Sequence, residues 1–133
     1  MEFIVPTLLI EKTNSSDSKK AKVALSVFFN IMDAWRVKAK DQITLLGSPS
    51  ESTYYKWKKG NVSSLSPDTL ERISYVMGIY KGLGILFPTR EQADAWPNKS
   101  NRDFNGLTAM EYMLKGSMIN LWDVRRYIDA QRG

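Results

Sequence analysis

The triplet Ser66-Pro67-Asp68 is a strong helix start: a serine able to cap free amides, a proline at the first helical position, and an acid beside the positive end of the helix dipole, joined by Glu71. From there to Phe87 an apolar stripe recurs at helical spacing, through Leu70, Ile73, Val76, Met77, Tyr80, Leu83 and Phe87, with Ile79 and Leu86 widening it. Gly78, Gly82 and Gly84 fall within it, and in an exposed helix each would cost about 1 kcal/mol relative to alanine. Glycines kept at that cost mark places where another helix comes close. That neighbour is either part of the same chain or a second subunit, and a dimer packed along Gly78 to Gly84 is one expectation.

Upstream, a short apolar cluster, Phe3, Ile4, Val5, Leu8, Leu9 and Ile10, gives way to the polar run Thr13 to Ser18. The first reads as a docking segment and the second as a mobile linker, so residues 1–20 are expected to be flexible. From Ala21 to Val37 the spacing of Leu25, Phe28, Phe29, Met32 and Trp35 predicts a core helix.

Lys38 to Leu46 reads as a short helix stopped by Gly47, with Ile43 and Leu46 inward. Ser48-Pro49-Ser50 makes the turn, Ser50 or Ser52 caps, and Glu51 to Lys59 forms a third helix ended by Gly60. These are helix-turn-helix proportions. Tyr54 and Trp57 are expected to face the core with Tyr55 at its edge, which leaves Ser52, Thr53, Lys56, Lys58 and Lys59 as candidate DNA contacts. Hydroxyls in that position reach bases or phosphates, and lysines neutralise backbone charge. A solvated basic helix on a bundle is the competing reading.

Charge supports a polyanionic partner on this side. The chain carries a net +5, and Ala34 to Gly60 alone carries six basic residues against two acids. After Pro88 the signs nearly cancel, with seven basic residues and six acidic ones, so the last third needs a partner of another kind. There Thr89 caps a short helix, Arg90 to Ala95, and a shaped module follows from Trp96 to Gly116. Gly106 is expected to take a positive φ, Thr108 to cap a helix, and Gly116 to end it. A final helix, Met118 to Gln131, turns Leu121, Val124 and Ile128 inward.

Neither histidine nor cysteine occurs, which removes disulfides, thiolate or imidazole metal sites, and the Ser-His and Cys-His nucleophile pairs. Carboxylate-only or lysine-based catalysis stays formally open, but no Gly-rich phosphate loop or convincing acid pair supports it. A non-enzymatic binding protein is expected, with no cofactor or metal and no membrane span. No secretory signal is read at Met1 to Ile10, and a cytoplasmic location follows as an expectation.

Leu86-Phe87-Pro88, Ala95-Trp96-Pro97-Asn98, Phe104 to Met110 and Lys115-Gly116, followed by a last helix, resemble the toxin-binding domain of the MbcA/ParS/Xre antitoxins. The upstream Ser52 to Gly60 and Leu65 to Leu83 are similar to the helix-turn-helix half of the same proteins. The resemblance covers 21–133 and lies in the order of motifs. It implies an all-α fold, with a DNA-binding domain over 21–87 joined by the long helix to a toxin-binding domain over 88–133. It also implies a dimeric antitoxin of a type II pair, which occludes a RES-fold toxin that degrades NAD or transfers ADP-ribose, and which represses its operon through operator DNA.

Carried over by position, Trp96, Phe104, Asn105, Gly106, Thr108 and Gly116 fall on the module's framework. Toxin contact is expected from Asn98, Arg102, Trp122, Arg125, Arg126, Tyr127 and Arg132. Asp129 and the carboxylate of Gly133 would suit the basic mouth of an NAD-binding pocket. The charged stretch Lys99 to Asp103 departs from the family pattern. A stand-alone transcriptional regulator with a C-terminal interaction module is the alternative.

Overall fold

The structure, a computed structural model, describes the backbone of residues 4–133 and the side chains of residues 16–133. Its α-helices are α1 (Ile4–Ala34), α2 (Ala39–Leu45), α3 (Glu51–Lys58), α4 (Pro67–Leu86), α5 (Arg90–Ala95), α6 (Ala109–Met113) and α7 (Met118–Arg132). Two 3-10 turns, Trp96–Asn98 and Arg102–Phe104, lie between α5 and α6. Among the described residues there is no strand, and one isolated antiparallel bridge joins Ser100 to Thr108. The fold is all-α. No described helix is long and apolar enough to cross a membrane.

α4 is the wall on which the rest is built. Its 20 residues span about 30 Å, with α1 on one flank and α7 on another. Packing on both flanks explains why Ile79, expected only to widen the stripe, is fully buried with Ile73, Val76 and Leu83. Met77, Tyr80 and Phe87, expected on the stripe itself, are half-buried at its margins.

The three glycines meet neighbours of the same chain. A methyl group at Gly78 would overlap the Arg125 guanidinium, and one at Gly82 would overlap Ile128, both on α7. At Gly84 it would stand 2.6 Å from Arg90 Nη1 of α5. Of the two neighbours expected, the one within the same chain therefore accounts for Gly78 and Gly82, while Gly84 stays exposed.

Caps follow the sequence closely. Ser66 Oγ accepts from the Thr69 amide at 3.1 Å, and Thr89 Oγ1 accepts from Gln92 at 3.2 Å. Thr108 accepts from the Glu111 amide at 2.9 Å while Glu111 accepts from the Thr108 amide at 2.8 Å, a reciprocal cap.

Two expectations are revised, and a third lies outside the described side chains. α1 begins at Ile4, so the polar run Thr13 to Ser18, read as a linker, continues the helix nucleated by the core-packed half. The docking role given to Phe3 through Ile10 lies outside the residues whose side chains are described. In α2 the inward residues are Gln42 and Leu45, with Leu46 at the C-cap, while Ile43 is half-buried.

One continuous core joins the two halves: Phe28, Met32 and Trp35 of the α1 region, Leu45 and Tyr54 of α2 and α3, and Leu121, Val124 and Ile128 of α7 all belong to it. The stretches before and after Pro88 thus differ in surface while sharing an interior.

Candidate functional site

Two polar ties fix the helix-turn-helix. Ser50 caps α3, its Oγ accepting from the Thr53 amide at 3.1 Å and donating to the Thr53 hydroxyl at 3.0 Å. Inside, the Tyr54 hydroxyl donates to Gln42 Oε1 at 2.6 Å, and Gln42 Nε2 donates to the Val37 carbonyl at 2.8 Å. Burial pushes the Tyr54 phenol above its ordinary pKa, with the charges of Tyr55 and Asp33 adding to the shift. Gly47 makes the intervening bend at φ +94. Gln42 carried no apolar periodicity, so it escaped the sequence reading.

With Tyr54 locked inward, helical spacing decides which candidates share the outer face. Ser52, Lys56 and Lys59 are exposed there, and Tyr55, expected at the core's edge, is 49% exposed beside them. Thr53 is half-buried with its hydroxyl engaged at the cap. Lys58 turns back to α1, its ammonium 4.3 Å from the centroid of the Phe29 ring. Four side chains, Ser52, Tyr55, Lys56 and Lys59, therefore share the outward face of α3.

The C-terminal module is held by aromatics. Trp96 stacks on Tyr127 at 6.1 Å between centroids, and Phe104 lies 5.1 Å from Tyr127 and 5.4 Å from Tyr112. The Tyr127 hydroxyl donates to Asp103 at 2.6 Å, and that of Tyr112 to Asp123. Each hydrogen bond raises the phenol's pKa, because ionisation would give up the donor and set two anions together; burial adds to both shifts. Asn105 at φ 58 and Gly106 at φ 83 turn the loop back, and Gly116 at φ +94 follows α6.

Several candidates for toxin contact are also engaged within the chain. Tyr127 belongs to the aromatic cluster. Asn98, though exposed, spends its amide on the Trp35 carbonyl at 3.0 Å and so ties the module to the end of α1. Arg125 lies across Gly78 and pairs with Asp129 at 3.1 Å, and Arg132 reaches the same carboxylate at 3.5 Å. Asp129 is thereby neutralised locally. Arg102, Trp122 and Arg126 remain outward, with Gly133 exposed after α7. The Arg126 guanidinium sits 4.5 Å above the Trp122 ring.

Arg72 was not singled out in the sequence and is 9% exposed. It pairs with Asp68 at 3.1 Å and donates to the Gly116 carbonyl at 3.2 Å, joining the helix-turn-helix side to the module. Among the described residues no group of acids could hold a metal ion.

This geometry defines a helix-turn-helix protein with a second helical module built against its longest core helix. Residues 19–78 match the antitoxin Xre-like helix-turn-helix domain, and residues 83–133 match the antitoxin Xre/MbcA/ParS C-terminal toxin-binding domain. The chain is also similar to a protein of Sinorhizobium fredii (strain NBRC 101917 / NGR234) that bears the name uncharacterized protein y4oB. The two are 48% identical over 119 residues, covering 90% of this chain and 92% of that one. No solved structure matches. The chain belongs to the Xre/MbcA/ParS antitoxin family and carries both its helix-turn-helix and its toxin-binding domain.

Proposed function

We propose that this chain neutralises a RES-fold toxin that degrades NAD or transfers ADP-ribose from it, by covering the toxin's active site, and that it represses its own operon as a cytoplasmic homodimer. One observation carries the reading: the outward faces of α3 and α7 differ in chemistry. α3 presents hydroxyls and lysines suited to phosphate and base edges, whereas α7 presents Trp122 and Arg126, residue types that anchor protein interfaces. Two copies would place two α3 helices on half-sites about 34 Å apart. Of the residues carried over for toxin contact, Arg102, Trp122, Arg126 and Arg132 keep that role here. Asn98, Arg125 and Tyr127 hold the module that presents them.

The test uses the full chain, because α7 shares its core with α4. A RES-fold toxin is expressed with and without this protein while growth, cellular NAD and a reporter from this protein's own promoter are followed. Restored growth and NAD, with a silenced reporter, is the expected result. A silenced reporter without rescue would leave a stand-alone regulator and remove the antitoxin reading.

A further inference from the structure

We propose that the toxin docks on an apolar patch made jointly by α7 and α4, centred on Ile119, Trp122 and Tyr75, with Arg126 as its polar anchor; the inference rests on the antitoxin reading above. Within the span matched to the toxin-binding domain, the large apolar side chains that stand exposed are Ile85, Ile119 and Trp122. Ile119 is 56% exposed and Trp122 37%, and they lie three residues apart on the outer face of α7. Together with Tyr75 and Met118 they line one shallow recess, to which Ile85 does not belong.

The helix register puts them there. Leu121, Val124 and Ile128 fill the core, so 119, 122 and 126 must point away from it. An isoleucine on that face adds nothing to the monomer's interior. The module's other large aromatics, Trp96, Phe104, Tyr112 and Tyr127, form one packed cluster.

Charge specifies what the partner brings. Asp129 is shared by Arg125 and Arg132, whereas Arg126 makes no ion pair among the described residues and lies over the Trp122 ring. Its donors are left for an incoming acceptor. The toxin surface that fits is an apolar recess for Ile119 and Trp122 with a carboxylate at its rim for Arg126. Tyr75 belongs to α4, within the span matched to the helix-turn-helix domain, so the footprint crosses from the C-terminal domain onto the other half.

The experiment measures affinity of the full-length chain for the RES-fold toxin that it neutralises in the growth test above, using Trp122→Ala, Ile119→Asp, Tyr75→Ala and Arg126→Ala. Val23→Ser, at a 59%-exposed site on α1, is the control. Melting temperature, operator affinity and light scattering are recorded for each. Trp122→Ala and Ile119→Asp are expected to weaken binding about tenfold or more, with Val23→Ser unchanged and operator affinity kept. Ile119 is 56% exposed and stands outside the core, so Ile119→Asp decides the matter even if Trp122→Ala lowers stability. Unchanged affinity in both, with the wild type binding, overturns the patch and leaves the antitoxin reading standing. A wild-type chain that does not bind the toxin overturns both. Loss of a dimer with toxin affinity intact assigns the patch to a second copy of this chain and overturns the proposal.

Discussion

The hydroxyl of Tyr54 in α3 donates to Gln42 of α2 across 2.6 Å, and both residues are buried. A hydrogen bond of this kind adds only about 1 kcal/mol net, but leaving one partner unpaired in the interior costs about 1–3 kcal/mol. Its role is therefore to set the angle of α3 against α2: any other packing would strand a polar group. Tyr54→Phe and Gln42→Met are each expected to lower unfolding free energy by about 1–3 kcal/mol, and the double variant by less than the sum, since each single change orphans the other's partner. Urea denaturation of the four proteins measures the coupling. Additive losses would mean that the two side chains do not depend on each other.

The same lock sorts the lysines of α3. Lys56 and Lys59 share the outer face, while Lys58 lies over Phe29. For operator binding, the slope of log affinity against log salt is expected to fall by about 0.9 for Lys56→Ala and again for Lys59→Ala, and much less for Lys58→Ala. Ser52→Ala is expected to relax preference at one base pair, by about 1–3 kcal/mol where its hydroxyl reads a base edge. Equal slopes for all three lysine variants would contradict the orientation of α3.

Where local chemistry decides, the sequence was enough to locate elements. Ser66-Pro67, Thr89 and Thr108 each carry a start signal contained within three residues, and each caps the helix expected of it. Tertiary pairing was less legible. Arg72 reads as a surface cation until Asp68 and Gly116 are brought to it, and Gln42 as a polar position until Tyr54 arrives. Asn98, Arg125 and Tyr127 have the composition of contact residues, and only the packing of α7 on α4 and of the aromatic cluster shows that they are held within the chain. Tyr55, conversely, reads as lying at the core's edge, and the register set by Tyr54 turns it further out, to 49% exposure.

The glycines of α4 divide by what stands over them. Alanine in place of a helical glycine gains about 1 kcal/mol of propensity, and overpacking a tight contact costs about 1–3 kcal/mol. At Gly82 the obstacle is Ile128, buried and 1% exposed, so Gly82→Ala is expected to destabilise by up to about 2 kcal/mol. At Gly78 it is the tip of Arg125, which swings aside at the expense of its pair with Asp129, so Gly78→Ala is expected to stay within about 0.5 kcal/mol of wild type. Thermal unfolding of both variants orders them. A Gly78→Ala loss as large as that of Gly82→Ala would show Arg125 to be rigidly held.

Three tyrosines make the protein sensitive to base. Tyr54 is held above the ordinary tyrosine pKa of 10.0 first by burial, and Tyr112 and Tyr127 first by their hydrogen bonds to Asp123 and Asp103. A raised folded-state pKa means that above 10.0 the folded chain keeps protons that the unfolded chain has released. The slope of stability with pH is then negative, as much as about 1.4 kcal/mol per pH unit for each proton by which the two states differ. The contribution from these groups is complete below the unfolded pKa and is lost as pH rises through the folded ones. Urea titrations from below to above pH 10 are expected to show stability falling on the alkaline side. Tyr54→Phe should start lower, for want of the Gln42 bond, but fall less steeply, because one of the three protons is gone. All other groups are common to both proteins and drop out of the difference. Parallel curves for wild type and Tyr54→Phe would mean that the Tyr54 phenol ionises alike in both states, and the buried bond to Gln42 would then have to open in alkaline solution before the chain unfolds.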